Sequence, residues 1–224
     1  QANVAAQSYK IFDYRIHMLT LKTSGSLHYT MTMSSLPELA QAELSAEPQA
    51  VVPGGTSSVR VSGWHEDGTE ADLSQAVVSY AVSHPDLAVI DPNGTVTLAA
   101  EQELGEVRAI RIWAEVTLHG KTLTTEEIEL HVAVTLPLLQ AMIQRYTDQG
   151  ELETPLASQL ANRLEQAGHH QQNGRLSQAI KHIADFQKHL QNEAMHRFVS
   201  AQAKDQLLSD SDALLDSWQG TESP

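Results

Sequence analysis

Few side chains in this sequence have types and spacing that could do chemistry, and they are scattered. His182, Asp185 and His189 stand at i, i+3 and i+7. On a helix that spacing puts two imidazoles and a carboxylate on one face, within reach of a divalent cation. The same face lies opposite Ile183 and Phe186, so a solvated helix surface is the simpler reading; a metal centre normally adds a further ligand and an outer shell of hydrogen bonds. His169 and His170 fall near a helix end, where terminal carbonyls and water are natural partners. Glu66-Asp67, Glu70 with Asp72, and Asp210 with Asp212 are acidic clusters. None has the Asp-rich spacing of a helix-loop-helix calcium site, so they read as solvated turns. No cofactor is expected, and calcium is a candidate without a motif.

Trp64 and Trp113 are the other residues of interest. Strand parity opposes Trp113 to Ile112 and Ala114, and sets Trp64 apart from Val59 and Val61. An outward tryptophan on a sheet can stack on a sugar ring, because two flat apolar surfaces desolvate each other well. It can equally pack against a neighbouring module. Asn93-Gly94-Thr95 matches a glycosylation sequon, but a tight hairpin turn accounts for it. No Gly-rich phosphate loop, Gly-x-Ser-x-Gly elbow or His-Glu-x-x-His helix occurs in the sequence. These residues therefore nominate binding surfaces and no reaction.

Three segments of different period must hold them. From Ser8 to Ser34 the alternation reads as two strands around Thr23-Ser24-Gly25-Ser26. Two strands alone are marginal in water, so residues 1–37 are expected to be the last hairpin of an upstream β domain. Residues 38–135 hold seven expected strands, near 42–46, 57–64, 77–82, 88–90, 94–98, 109–118 and 121–134. The last is long enough to bend. Seven short strands separated by Pro-Gly, Asp-Gly and Asn-Gly turns predict an immunoglobulin-like antiparallel sandwich.

At Thr135-Leu136-Pro137 the apolar period changes from two to 3.6. Leu138 to Tyr146 give a first stripe, and Leu156, Leu160, Leu164 and Ala167 a second, with Thr154 as its N-cap and Pro155 in the first turn. Leu176 to Leu190 give a third, and Ser200 caps a fourth that carries Ala203, Leu207, Leu208, Ser211, Leu214, Leu215 and Trp218. Each is marginal alone, so residues 136–219 are expected to form a four-helix bundle, with 220–224 as a tail. The fold class is thus β followed by all-α, and the sandwich and bundle are expected to fold separately about the 135–137 joint.

Charge is unevenly divided. Of a net −14 over 224 residues, −12 lies in residues 38–137. An acidic sandwich repels phosphate, which argues against nucleic acid as a partner. There is no apolar run of the ~18 residues that suggests a membrane span. Cysteine is absent. Because the chain opens at Gln1 with no basic and apolar leader, it is expected to derive from something longer.

The middle segment resembles bacterial Ig-like domains of the group 2 type. The residues that carry the resemblance are Val52-Pro53-Gly54, Val59-Arg60-Val61, Asp67-Gly68-Thr69-Glu70 with Asp72-Leu73, Ser83-His84-Pro85, and Asn93-Gly94-Thr95-Val96. It spans roughly Leu39 to Val134. The helical segment resembles FIMAH-type C-terminal modules through Leu156 to Leu164, Gly174 with Ala179-Ile180, Asp185-Phe186, His189-Leu190, and Asp212-Ala213-Leu214-Leu215 with Trp218. Gln187 stands where such modules often carry an apolar residue. Both resemblances imply non-catalytic accessory modules behind a catalytic domain, at the C-terminal end of a secreted Gram-positive enzyme acting on polysaccharide. They imply extracellular localisation, an upstream catalytic chain as partner, and polysaccharide as a candidate ligand of Trp64 and Trp113. A surface adhesion module is the alternative, as is one chain of a nicked enzyme completing its β domain.

Overall fold

The computed structural model describes residues 38–220. The Ser8–Ser34 hairpin expectation and the tail lie outside the described residues, apart from Gly220. Nine strands come first: β1 Leu39–Glu47, β2 Ala50–Val51, β3 Thr56–His65, β4 Val77–Val82, β5 Ala88–Ile90, β6 Thr95–Leu98, β7 Ala109–Leu118, β8 Lys121–Thr124 and β9 Ile128–Val132. A one-turn helix, α1 (Glu101–Leu104), precedes β7. Then follow α2 Leu136–Asp148, α3 Leu156–Gln172, α4 Leu176–Gln191, a 3-10 turn over Glu193–Phe198 and α5 Ala201–Gly220.

The strands make two sheets, β1-β3-β6-β5 and β2-β9-β7-β4, with β8 also paired to β7. All pairings are antiparallel except β2 on β9. The chain is therefore an immunoglobulin-like sandwich followed by a helical bundle. On β7 the expected alternation holds over its whole length: Ile110, Ile112, Ala114, Val116 and Leu118 are buried, while Arg111 and Glu115 are exposed. Ile110 and Ile112 share a core with Val59, Val96, Leu98, Leu130 and Val132, while Val116 and Leu118 share a second, smaller one with Leu39 and Ala71.

The expected single strand over 121–134 is instead two. Thr125 interrupts it: its backbone N–H donates to the Ala114 carbonyl at 2.9 Å, and its hydroxyl accepts from the Ala114 N–H at 3.0 Å. The buried hydroxyl stands in for a ladder carbonyl, and Glu126-Glu127 then carry the chain out and back into β9.

The bundle core is built from the four expected stripes, with Tyr146, Leu160, Leu164, Ile183, Phe186 and Leu207 fully buried. Thr135 accepts from the Leu138 N–H at 3.2 Å and Ser200 from the Ala203 N–H at 3.1 Å, so both helices start on hydroxyl caps. Thr154 does not cap α3. Pro155 occupies the cap position and no side-chain cap bond forms. The cause is tertiary: residues 151–153 are tied to 198–200 by a short bridge, Ser200 N–H to the Glu151 carbonyl at 2.8 Å and Glu153 N–H to the Phe198 carbonyl at 2.8 Å. That pairing fixes the approach of the chain and starts the helix at Leu156.

Candidate functional sites

Trp113 sits in β7 with the even-numbered residues on either side of it buried, so its indole lies on the outer face of the five-stranded sheet, half-buried. Ala81 of β4 is directly across from it. Along the same face Arg111 pairs with Glu127 at 2.9 Å. Trp64 is half-buried on β3, with parity opposite to Val59 and Gly63; it faces Gln41 of β1 and bridges to Glu70. The two tryptophans therefore belong to the outer faces of different sheets. They cannot line one sugar platform.

The three candidate metal ligands on α4 go separate ways. His182 turns toward α3 and stacks on His170, ring centroids 5.1 Å apart and planes 10° from parallel. Asp185 accepts from Lys188 at 3.1 Å, which holds its carboxyl below the usual carboxylate range. His189 is half-buried one turn further on. Among the described residues no group of three or more His, Asp or Glu side chains is placed to hold a metal ion. His169 meets His170 edge-on at 5.8 Å, and the His169 backbone carbonyl accepts from the Asn173 side chain at 2.6 Å. The two histidines, with Glu165 and His182, border an open groove of about 600 Å³ between α3 and α4. Burial and the nearby charges of His170 and Arg163 push the His182 imidazole below the ordinary histidine range. The Nδ1 atoms of His170 and His182 are both buried with no hydrogen-bond partner.

The acidic clusters divide. Asp67 accepts the Thr69 hydroxyl at 2.6 Å and its N–H at 3.0 Å, and Asp72 accepts the Ser74 N–H at 2.9 Å. These are solvated turns that lower both carboxyl pKa values by hydrogen bonding to the charged form. Asp91 behaves likewise at the sequon turn, accepting from the Asn93 and Thr95 N–H groups. Asp210 does not. It is 2% exposed in mid-helix, where its carboxylate receives a two-pronged bond from Arg108 of the sandwich: Nε to Oδ1 at 2.8 Å and Nη2 to Oδ2 at 2.6 Å. The reading of Asp210 as solvated is corrected by this long-range partner, 102 residues away in sequence. No local pattern signals it.

Around that pair the two modules share further contacts. The Tyr146 hydroxyl donates to Glu106 at 2.8 Å, and Gln202 donates to the other oxygen of the same carboxylate at 2.9 Å. Burial and that carboxylate raise the Tyr146 pKa well above its usual value. Leu138, on α2, is fully buried within the sandwich core and not in the bundle core.

Residues 136–216 match the family model of the FIMAH domain, which is well under half of the chain. No curated protein matches this chain. Among solved structures it is similar to an intimin mutant from EHEC O157:H7, at 14% identity and a TM-score of 0.27, covering 56% of this chain. The chain spans 66% of the length of that structure, just under two thirds.

Proposed function

We propose that this chain is a non-catalytic accessory region of a secreted polysaccharide-degrading enzyme, in which the sandwich and the FIMAH-type bundle act as a spacer. The observation that carries the reading is the match of residues 136–216 to the FIMAH domain, in a bundle joined to β9 by a three-residue connection, Ala133 to Thr135. A spacer needs stiffness, and a short connection with Leu138 seated in the sandwich core supplies it. The resemblance of the middle segment to bacterial Ig-like modules supports the same placement.

In this reading the Trp113 face packs against a neighbouring module rather than sugar, since its partner tryptophan is on the other sheet and one aromatic gives a small platform. Affinity electrophoresis of the chain in gels containing soluble polysaccharides tests it. Unchanged mobility is expected, together with a lower melting temperature of the longer parent protein on Trp113→Ala. Retardation that Trp113→Ala abolishes, with melting unchanged, would assign the face to polysaccharide binding instead. Release of reducing ends by the chain itself would overturn the non-catalytic reading.

A further inference from the structure

The bundle presents to the sandwich a face that is polar where bundle faces are usually apolar. Asp210 is buried, yet among the described residues of the bundle its hydrogen-bond donor is Gln206 alone, at 3.0 Å. The Tyr146 side chain is fully buried, and its hydroxyl points at Glu106 of the sandwich. A carboxylate and a phenol in such positions need partners, because a buried polar group left unpaired costs its full desolvation. Both partners come from one short stretch of the sandwich, Gly105 to Arg108, just before β7. Arg108 is committed on all sides: Nε and Nη2 hold Asp210, while Nη1 donates to the Gly105 and Val107 carbonyls at 2.7 and 2.8 Å. Those two bonds hold the guanidinium fork from within its own loop, and a planar fork suits a carboxylate better than an ammonium would. Gly105 has φ +54°, and a β-carbon there would run into the Arg145 guanidinium of α2.

We infer that the face of the bundle carrying Tyr146, Gln202 and Asp210 is a recognition surface for a sandwich loop that offers a glutamate and an arginine two residues apart, and that the bundle depends on this loop for its own stability. The domain-sized match to residues 136–216 thus does not mark an autonomous unit in this chain. Glu106 and Arg108 complete it. The inference concerns the contact between the two modules and stands whether or not the parent protein acts on polysaccharide.

Hydrogen exchange of the full chain, resolved by peptide, tests it. Arg108→Ala lies in the sandwich, yet it is expected to speed exchange in α2 and α5 at least tenfold. Arg108→Ala with Asp210→Ala together should be no worse for those helices than Arg108→Ala alone, because the double variant removes the stranded carboxylate. If Arg108→Ala fails to fold, the exchanged pair Arg108→Asp with Asp210→Arg is the second measurement: recovery of a folded chain with α5 protected supports the inference, and failure to recover overturns it. Unchanged exchange in α2 and α5 on Arg108→Ala, or a double variant that loses as much as the sum of the single ones, also overturns it.

Discussion

At Gly94 the backbone runs at φ +83°, and a β-carbon would press on the Val59 carbonyl oxygen. The Val59 N–H in turn donates to the Gly94 carbonyl at 2.7 Å, so the turn is pinned against β3 and cannot relax outward. Gly94→Ala is expected to destabilise the sandwich by at least about 1–2 kcal/mol from the left-handed conformation alone, with the backbone approach adding to it. A urea midpoint equal to that of the parent would show the turn to be softer than this. His182 governs a pH dependence. His170, Arg163 and Lys181 oppose its protonation and Asp185 favours it, with burial the largest influence and the net direction downward. The folded state therefore binds the proton less readily than the unfolded chain. Stability from this site is complete above the ordinary histidine range and declines as pH falls below about 6.5. His182→Gln should flatten that decline below about pH 6.5 in urea titrations; an unchanged slope would assign it to other groups.

At the scale of elements, α4 and α5 meet through a polar pair in an apolar seam. Gln187 replaces an expected apolar residue, and it donates to the fully buried Ser211 hydroxyl at 3.0 Å and to Asp212 at 2.7 Å. The departure from the apolar pattern on one helix is thus answered by a hydroxyl on the other. Ser211→Ala should cost about 1 kcal/mol by removing an acceptor, while Gln187→Leu with Ser211→Ala should recover most of it, since replacing both partners strands neither. A double-mutant cycle in thermal melts measures the coupling. Additive losses would mean that the two side chains are not energetically coupled.

For the whole molecule, the telling residue is Leu138. Its neighbours Leu136 and Leu139 pack in the bundle while it packs in the sandwich, so α2 contributes to two cores at once. Leu138→Ala is expected to cost about 2–5 kcal/mol, the range for a buried leucine, and to lower protection in both β7 and α2. If exchange rises in only one of them, the two cores open independently. The acidic sandwich carries its charge mainly in exposed side chains. Arg108–Asp210 is the pair in which one partner is nearly fully buried, and it lies at the junction.

How much of this was legible in the sequence follows from how local each feature is. The inward parity of Ile110 to Leu118, the stripes of the four helices, the Ser200 cap and the Asn93-Gly94-Thr95 turn are set by residues within a few positions of one another, and all of them were read from the sequence. The break at Thr125 was not, because only the pairing with β7 brings its hydroxyl onto the Ala114 N–H, and no residue type at 125 announces that. The late start of α3 was hidden for the same reason: Glu151 and Ser200 meet only after three helices have packed. Of the candidate sites, the outward placing of Trp64 and Trp113 came from parity, but their assignment to different sheets came from topology. The spacing of His182, Asp185 and His189 described one helix and could not show that His170 of another helix claims the first imidazole. Asp210 looked like any surface aspartate, since a burial that depends on an arginine 102 residues away leaves no periodic trace. Periodicity, caps and turn residues determined the elements; the third dimension decided which polar groups met, because burial and pairing depend on packing between elements and not on spacing within one.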